Sequence, residues 1–279
     1  MIKNKFTFID LFSGIGGFHY GLHQIGGKCL LASDIFETAN DTYEKNFDLR
    51  PVGDISKIKS KDIPNHDLLC GGFPCQPFSN AGKKGGLDDP RGELIYEVSR
   101  ILRTKMPRAF ILENVKGLQN LQGGQTFEII KSLLNDSGYV VSTKVLEAKD
   151  YGLPQIRKRL FFVGVRKDIK IGFEFPNPIP LKYTLSEVFD GKTLEREYGF
   201  TVRVGGRSSG INNRYNWDAY YVDGEVAIIS PQQCLLLQGF PKSFQISGSK
   251  TEKYKQAGNS VPTTIVEEIG KQLINLKII

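Results

Sequence analysis

Cysteine, histidine, methionine and tryptophan are scarce in this sequence of 279 residues, with 4, 3, 2 and 1 copies respectively. Four cysteines in so long a chain, Cys29, Cys70, Cys75 and Cys234, do not make the disulfide framework of a small secreted domain. No run of about twenty apolar residues occurs, so no membrane-spanning helix is expected. The opening MIKNKF carries no apolar signal segment. A reducing cytoplasmic, nucleoid-associated setting is therefore expected, with the cysteines buried or catalytic rather than paired. His66, Cys70 and Cys75 lie near one another in sequence. Their spacing fits no paired-ligand pattern and a fourth ligand is missing, so no metal site is expected. Internal repeats and low-complexity tracts are also absent.

What is present is an ordinary globular balance, 40% hydrophobic and 24% charged, which excludes a disordered chain, a collagen and a coiled coil. Lys and Arg exceed Asp and Glu by seven, 37 against 30, a surplus compatible with a polyanionic partner. Short apolar runs alternate with amphipathic stretches over the first two thirds, the pattern of βαβ units and a mainly parallel sheet. Strands are expected at Phe6 to Leu11, Lys28 to Ser33, Asp67 to Cys70 and Arg108 to Glu113, and an adjacent pair at Val140 to Leu146 and Leu160 to Val165. Helices are expected at Phe18 to Ile25, Glu37 to Asn46, around Leu94 to Leu102, Thr126 to Asp136, Pro231 to Gln238 and Thr263 to Leu276. Past Ile171 the pattern becomes irregular, which suggests a smaller second unit. The expected division is 1–172 with 257–279 for the larger domain and 173–256 for the smaller one with its hinge.

Four local patterns carry chemistry. Phe8 to Gly17, FIDLFSGIGG, is a strand running into a glycine turn and then a helix, which places a nucleotide-like ligand at a strand's carboxyl end. A dinucleotide fingerprint would need glycine at position 19, where His19 stands. Phe12 and the adjacent Gly16 and Gly17 suit a flat adenine and a ligand without pyrophosphate. Asp34 ends the second strand about twenty residues later, where an acid can accept ribose hydroxyls. Next, Cys75 sits between two prolines in GGFPCQPFS, a restricted loop just past a strand. A free thiol is only slightly ionised at neutral pH, so an attacking cysteine needs a nearby positive group or helix N-terminus. Glu113, in ENV at a strand's end, can donate a proton if burial raises its pKa. Finally, Arg157 and Arg159 alternate in QIRKR and point to one side of an extended segment.

In order, FIDLFSGIGG, GGFPCQPFSNAG, ENV, QIRKRLFFVG, PQQCLLLQGFP and YKQAGNSVP resemble the motif series of the C5-cytosine DNA methyltransferases over nearly the whole chain. The resemblance implies a doubly wound α/β fold with a mainly parallel, Rossmann-like sheet that binds S-adenosyl-L-methionine. It also implies a small irregular target-recognition domain, with double-stranded DNA between the two. On this resemblance Cys75 is the nucleophile toward cytosine C6, Glu113 contacts N3 and the exocyclic amine, and Arg157 and Arg159 hold the base and the catalytic loop. Phe12 faces the adenine, Asp34 the ribose and Asp54, in Gly53-Asp54-Ile55, the adenine amine. Ser13, Gly14, Gly16, Gly17 and Ile55 complete that side, and Asn259 and Ser260 close it from the far end of the sequence. Many relatives carry an aromatic residue beside the ribose acid, where this chain has Ile35, so aliphatic packing on adenine is expected.

Lys83, Lys84 and Arg91, in a glycine-rich loop, are expected as a lid over the flipped base and its phosphates. Between Gly199 and Gly224, Arg203, Arg207 and Arg214 stand with Ser208, Ser209, Asn212, Asn213 and Asn216 among glycines, with Tyr215 and Trp217 interleaved. Arginine reads guanine and asparagine reads adenine in the major groove, so this stretch is the expected DNA reader. An RNA cytosine-5 methyltransferase of the same fold is the alternative, although the Cys-Phe-Thr tripeptide usual in the tRNA-acting branch is missing. A nicotinamide oxidoreductase conflicts with His19 and leaves the PCQP loop unexplained. The compact size resembles modification enzymes of bacterial or viral restriction systems, which leaves room for a cognate endonuclease on the same site without a stable complex. One active site per chain makes a monomer sufficient.

Overall fold

The computed structural model describes residues 5–74, 94–206 and 208–279. Cys75, Lys83, Lys84, Arg91 and Arg207 lie outside them. Among the described residues the chain runs β1 (Phe6–Leu11), α1 (Gly17–His23), β2 (Gly27–Ser33), α2 (Glu37–Phe47), β3 (Leu68–Gly72), α3 (Leu94–Lys105), β4 (Ala109–Val115), α4 (Gln125–Asp136), β5 (Tyr139–Glu147) and β6 (Lys158–Arg166). It continues with α5 (Leu185–Val188), β7 (Ala219–Val222), β8 (Glu225–Ile228), α6 (Pro231–Leu237), α7 (Lys250–Asn259) and α8 (Thr263–Asn275). The first six strands form one sheet in the order β2-β1-β3-β4-β6-β5. β2, β1, β3 and β4 are mutually parallel, whereas β6 runs antiparallel to both β4 and β5. The chain steps from β1 to β2 on one side and returns to β3 on the other. A crevice therefore opens at the carboxyl ends of β1 and β3, where open α/β sheets bind ligands.

Period-two alternation assigns each strand residue to a face. Phe6 and Phe8, Leu68 and Cys70, Ala109 and Ile111, and Phe161 and Val163 pack with α1 and α8. Their neighbours Ile9 and Leu11, Leu69, Phe110 and Leu112, and Leu160 and Phe162 pack with α3 and α4. Both faces are covered, which is why these strands read as nearly continuous apolar runs. The α8 helix buries Ile265, Val266, Ile269 and Leu273 in the first of these cores. Four such side chains contribute on the order of 6–12 kcal/mol before chain entropy is counted. That decides its docking, because a helix of 13 residues is marginal alone.

A third core gathers Leu185, Val202, Trp217, Tyr220, Leu235 and Tyr254 from the irregular region together with Ile15 and Ala39 from α1 and α2's side of the sheet. The irregular region is thus packed onto the larger unit through shared apolar contacts. Three features there differ from expectation: the short helix α5, the β7–β8 hairpin and the helix α7. The β7–β8 hairpin was read as irregular chain; its turn has positive φ at Asp223 and Gly224 (52° and 84°), the backbone of a two-residue hairpin turn. The helix α7 was not expected, and it runs through the division drawn between residues 256 and 257. Its low apolar content hid it, since only Tyr254, Gln256, Ala257 and Gly258 are buried along it.

Candidate active site

The carboxyl ends of β1 to β4 and the end of α7 enclose a cavity of about 950 Å³. The β1 strand ends in a turn whose sharpness is bought with unusual backbone: φ is 54° at Phe12, 52° at Gly14 and 86° at Gly16. Gly16 caps α1 in the left-handed region, and that costs a glycine little. Gly17 answers a different need. A Cβ there would lie 2.7 Å from Val261 Cγ1 and 2.8 Å from Ser260 Oγ, so only glycine lets α1 lie against the 260–261 turn. Phe12, Ser13, Gly14 and Gly17 all line the cavity, and Gly16 stands behind them against Phe47. Ser13 Oγ is buried with no hydrogen-bond partner among the described residues.

Asp34, just past β2, holds the turn in place. Its Oδ2 accepts from the Gly14 amide at 2.8 Å and its Oδ1 from the Phe36 amide at 2.9 Å. Burial pushes this carboxyl above the ordinary aspartate value, and the backbone amides hold it partly back. Ile35, 65% exposed, and Phe36, 63% exposed, stand at the rim. Asp54 accepts from Ser56 N and Oγ through Oδ1, and so caps the short turn Ile55–Lys57 while still lining the cavity. An acid at the end of β2, a turn of backbone amides, an unpartnered hydroxyl and an apolar rim suit an adenosine-like ligand. Position 19 is closed to a dinucleotide. His19 is core, stacked 3.9 Å from Phe47 and bonded through Nδ1 to Tyr43 Oη at 2.7 Å.

Across the cavity, Glu113 projects from β4 and accepts from Arg159 Nε at 2.8 Å. Burial raises the Glu113 carboxyl above the ordinary glutamate value; the guanidinium groups of Arg159 and Arg157 pull it back without cancelling the rise. The next residue, Asn114, is buried and donates from Nδ2 to the Phe73 carbonyl at 2.9 Å. That bond ties the end of β4 to the chain segment Phe73–Pro74, which lines the cavity immediately before Cys75 in sequence.

Arg157 and Arg159 were expected to share one side and one task. The structure separates their surroundings. Arg159 meets Glu113, whereas Arg157 is 1% exposed and donates from Nη1 and Nη2 to the carbonyls of Val202, Gly258 and Ser260, leaving its buried Nε without a partner among the described residues. Asn259 is exposed at the end of α7 and lines the cavity with Ser260.

The Gly-, Asn- and Arg-rich stretch also divides. Arg203 and Arg214 are exposed, with Arg214 lying over the Tyr215 ring, 4.4 Å from its centroid. Asn216 and Trp217, expected among the DNA readers, are instead buried. Asn216 Nδ2 donates to the Ala219 carbonyl at 2.9 Å, its Oδ1 accepts from the Ala219 amide at 3.0 Å, and Trp217 Nε1 donates to the Gly205 carbonyl at 2.9 Å. Their hydrogen bonds close the loop on itself, so they shape it rather than present it.

Sequence reasoning missed Val204, Lys255 and Gln256, which line the cavity from the recognition stretch and from α7. A signal for α7 was available: Ser249 and Glu252 form a reciprocal capping box, the S-x-x-E pattern that opens helices. Val204 had none, because its place depends on how two distant segments pack.

A family model described as C-5 cytosine-specific DNA methylase matches residues 6–209 and 193–275. The chain is 38% identical to the Type II methyltransferase M.DsaV of Dactylococcopsis salina, covering 99% of this chain and 88% of that protein. It is 41% identical to M1.ScrFI of Lactococcus lactis subsp. cremoris, covering 98% and 79%, and 35% identical to M.HhaI of Haemophilus parahaemolyticus, covering 96% and 95%. Among solved structures, an Escherichia coli prophage-encoded DNA modification methyltransferase superposes with a TM-score of 0.75 over 97% of this chain and 99% of its own, at 23% identity. The DNMT2 protein of Spodoptera frugiperda superposes equally well, 0.75 over 96% and 99%, at 20% identity; at that distance the likeness speaks for the fold. With the family model spanning almost all of the chain and the relatives aligned nearly end to end, the chain belongs to the C-5 cytosine-specific DNA methylases, and it is a DNA (cytosine-5-)-methyltransferase.

Proposed function

We propose that the enzyme takes its methyl group from S-adenosyl-L-methionine, releasing S-adenosyl-L-homocysteine, and places it on C5 of a cytosine flipped out of duplex DNA. The observation that carries this reading is a single cavity with two unlike walls: the Asp34-braced turn on one side and the Glu113–Arg159 pair on the other. Phe12, Ser13, Gly14, Asp34, Ile35, Asp54, Asn259 and Ser260 would hold the adenosyl cofactor, which supplies an electrophilic methyl group. Cytosine C5 is a poor nucleophile. Addition of the Cys75 thiolate at C6 makes C5 enamine-like, and a proton or hydrogen bond from Glu113 at N3 offsets the charge that this addition creates. After transfer, C5 loses its proton and Cys75 is eliminated. These atoms are out of reach inside a stacked duplex, hence the flipping. Burial raises the Glu113 carboxyl above the ordinary glutamate value, the direction that favours a proton donor.

The names of the similar proteins, Type II methyltransferases, support a place in a restriction-modification system. A cognate endonuclease would then act on the same sequence. Under this reading the enzyme works as a cytoplasmic monomer on nucleoid DNA, with 173–256 as the target-recognition unit and Lys83, Lys84 and Arg91 as phosphate-contacting groups over the flipped base. Among the described residues no helix is long and apolar enough to cross a membrane. Bisulfite sequencing of a plasmid from cells expressing the chain tests the reading and maps the target. One sequence context with methylated cytosines is expected. Unmethylated plasmid alongside methylated tRNA would overturn DNA as the substrate. A duplex with 5-fluorocytosine at the mapped position should trap the wild type covalently and not Cys75→Ser; trapping that persists in that variant would remove Cys75 from the role.

A further inference from the structure

Arg157 sits where two distant stretches of chain meet. Its Nη1 donates to the Val202 carbonyl at 2.9 Å, and its Nη2 to the carbonyls of Gly258 at 2.9 Å and Ser260 at 2.7 Å. Val202 opens the segment that continues through Arg203 and Val204 into the recognition stretch. Gly258 and Ser260 flank Asn259 at the end of α7. Val204 and Ser260 both line the cavity. The two segments also touch through their backbones: a Cβ on Gly258 would lie 2.7 Å from the Arg203 carbonyl carbon and 2.9 Å from the Val204 nitrogen. Gln155 anchors the first of these segments separately to the end of α6, accepting from the Val202 amide at 3.2 Å and donating to the Leu237 carbonyl at 2.7 Å.

Charge makes this junction costly to pull apart. The Glu113 carboxylate is bonded to Arg159, so the three carbonyls are the hydrogen-bonding partners of the buried Arg157 guanidinium. A guanidinium does not shed its proton in a protein, and withdrawing acceptors from a buried charge is strongly unfavourable. Moving either segment therefore withdraws an acceptor from the one guanidinium that both segments hold.

We infer that Arg157 is a positioning residue that couples occupancy of the cofactor wall to placement of the recognition segment. The inference rests on the proposed reading, in which the adenosyl cofactor meets the 258–261 turn and DNA meets the stretch beyond Val202. Each ligand biases the same hydrogen-bonded arrangement, so each must strengthen the other by one common factor.

The test measures S-adenosyl-L-homocysteine binding by calorimetry and binding of a duplex carrying the mapped cytosine by anisotropy, each with and without the other ligand. For the wild type we expect a mutual factor of about 5- to 150-fold. Arg157→Lys keeps the charge but loses the planar fork that reaches three carbonyls. Gly258→Ala leaves the guanidinium alone and forces the segments apart. In both variants the factor should fall to near one. General loosening of the fold would weaken each affinity and leave the factor unchanged, so the factor separates positioning from stability. A wild-type factor of one, or an undiminished factor in either variant, overturns the inference. Methylation of the same duplex by the wild type reports separately on the proposed function.

Discussion

At the scale of single residues, the groups that matter are those whose acidity the fold has shifted. Glu113→Gln keeps shape but has no proton to give, so single-turnover methylation should slow roughly 10²- to 10⁴-fold with DNA affinity nearly kept. An unchanged rate in rapid quench would remove Glu113 from proton transfer. Asp34→Ala should weaken S-adenosyl-L-homocysteine binding with a smaller effect on the saturated rate, because it frees the Gly14 and Phe36 amides and removes an acid from the cofactor wall. Calorimetry checks it, and equal dissociation constants would count against a ribose contact. Asp10 is a different case. It continues the alternation of Phe6 and Phe8 onto the α1 face, is fully buried, and burial pushes its carboxyl well above the ordinary aspartate value. The folded state therefore holds the proton to higher pH than the unfolded chain does. The stability it contributes is complete below about pH 3.8 and declines as pH rises toward the folded value. The decline is at most about 1.4 kcal/mol per pH unit. Asp10→Asn cannot ionise, so its stability advantage over the wild type should widen from pH 4 upward in thermal melts. A gap independent of pH would show that Asp10 does not titrate there.

At the scale of elements, the cavity depends on the close approach of α1 to the 260–261 turn. Gly17→Ala inserts a methyl group where Val261 and Ser260 already stand. Overpacking of this kind costs about 1–3 kcal/mol. Because the displaced turn also lines the cavity, cofactor affinity should fall along with the denaturant midpoint. A lowered midpoint with normal affinity would separate the turn from the cofactor site. Ser249→Ala removes one half of the α7 capping box and should cost about 1 kcal/mol of stability. The α7 helix carries Gly258 and Asn259, yet the sequence pattern assigns no element to it. The inner strands β1, β3, β4 and β6 are legible because both of their faces are largely apolar. The β7–β8 hairpin went unread although Asp223-Gly224 is a strong turn pair, since the strands beside it have only four residues each.

At the scale of the whole molecule, the proposed function assigns specificity to the region that the sheet does not build. Arg203 and Arg214 are exposed on it, and Arg207 lies outside the described residues. At least one of the three is expected to read a base. Its change to alanine should cost about 1–3 kcal/mol and relax preference at a single position. Uniform weakening across mismatched duplexes for all three would place recognition elsewhere, nearer Tyr183 to Tyr198. The burial of Asn216 and Trp217 already narrows the search, because their polar atoms are committed to the loop's own backbone.

The sequence by itself determined the alternation of strand and helix, the glycine turn after β1, the acid after β2 and the order of the family's motifs. All of these are written in local patterns: period-two and period-3.6 burial, turn chemistry, and residues a few positions apart. Only the tertiary structure decided that Arg157 faces three carbonyls while Arg159 faces a carboxylate, two positions apart in one segment. It likewise decided that Gly258 must yield to the backbone of Arg203, and that Val204 joins the cavity wall. The physical reason is separation along the chain. Arg157 meets carbonyls 45, 101 and 103 residues away, and such pairings are set by how cores pack against one another, which no local pattern encodes.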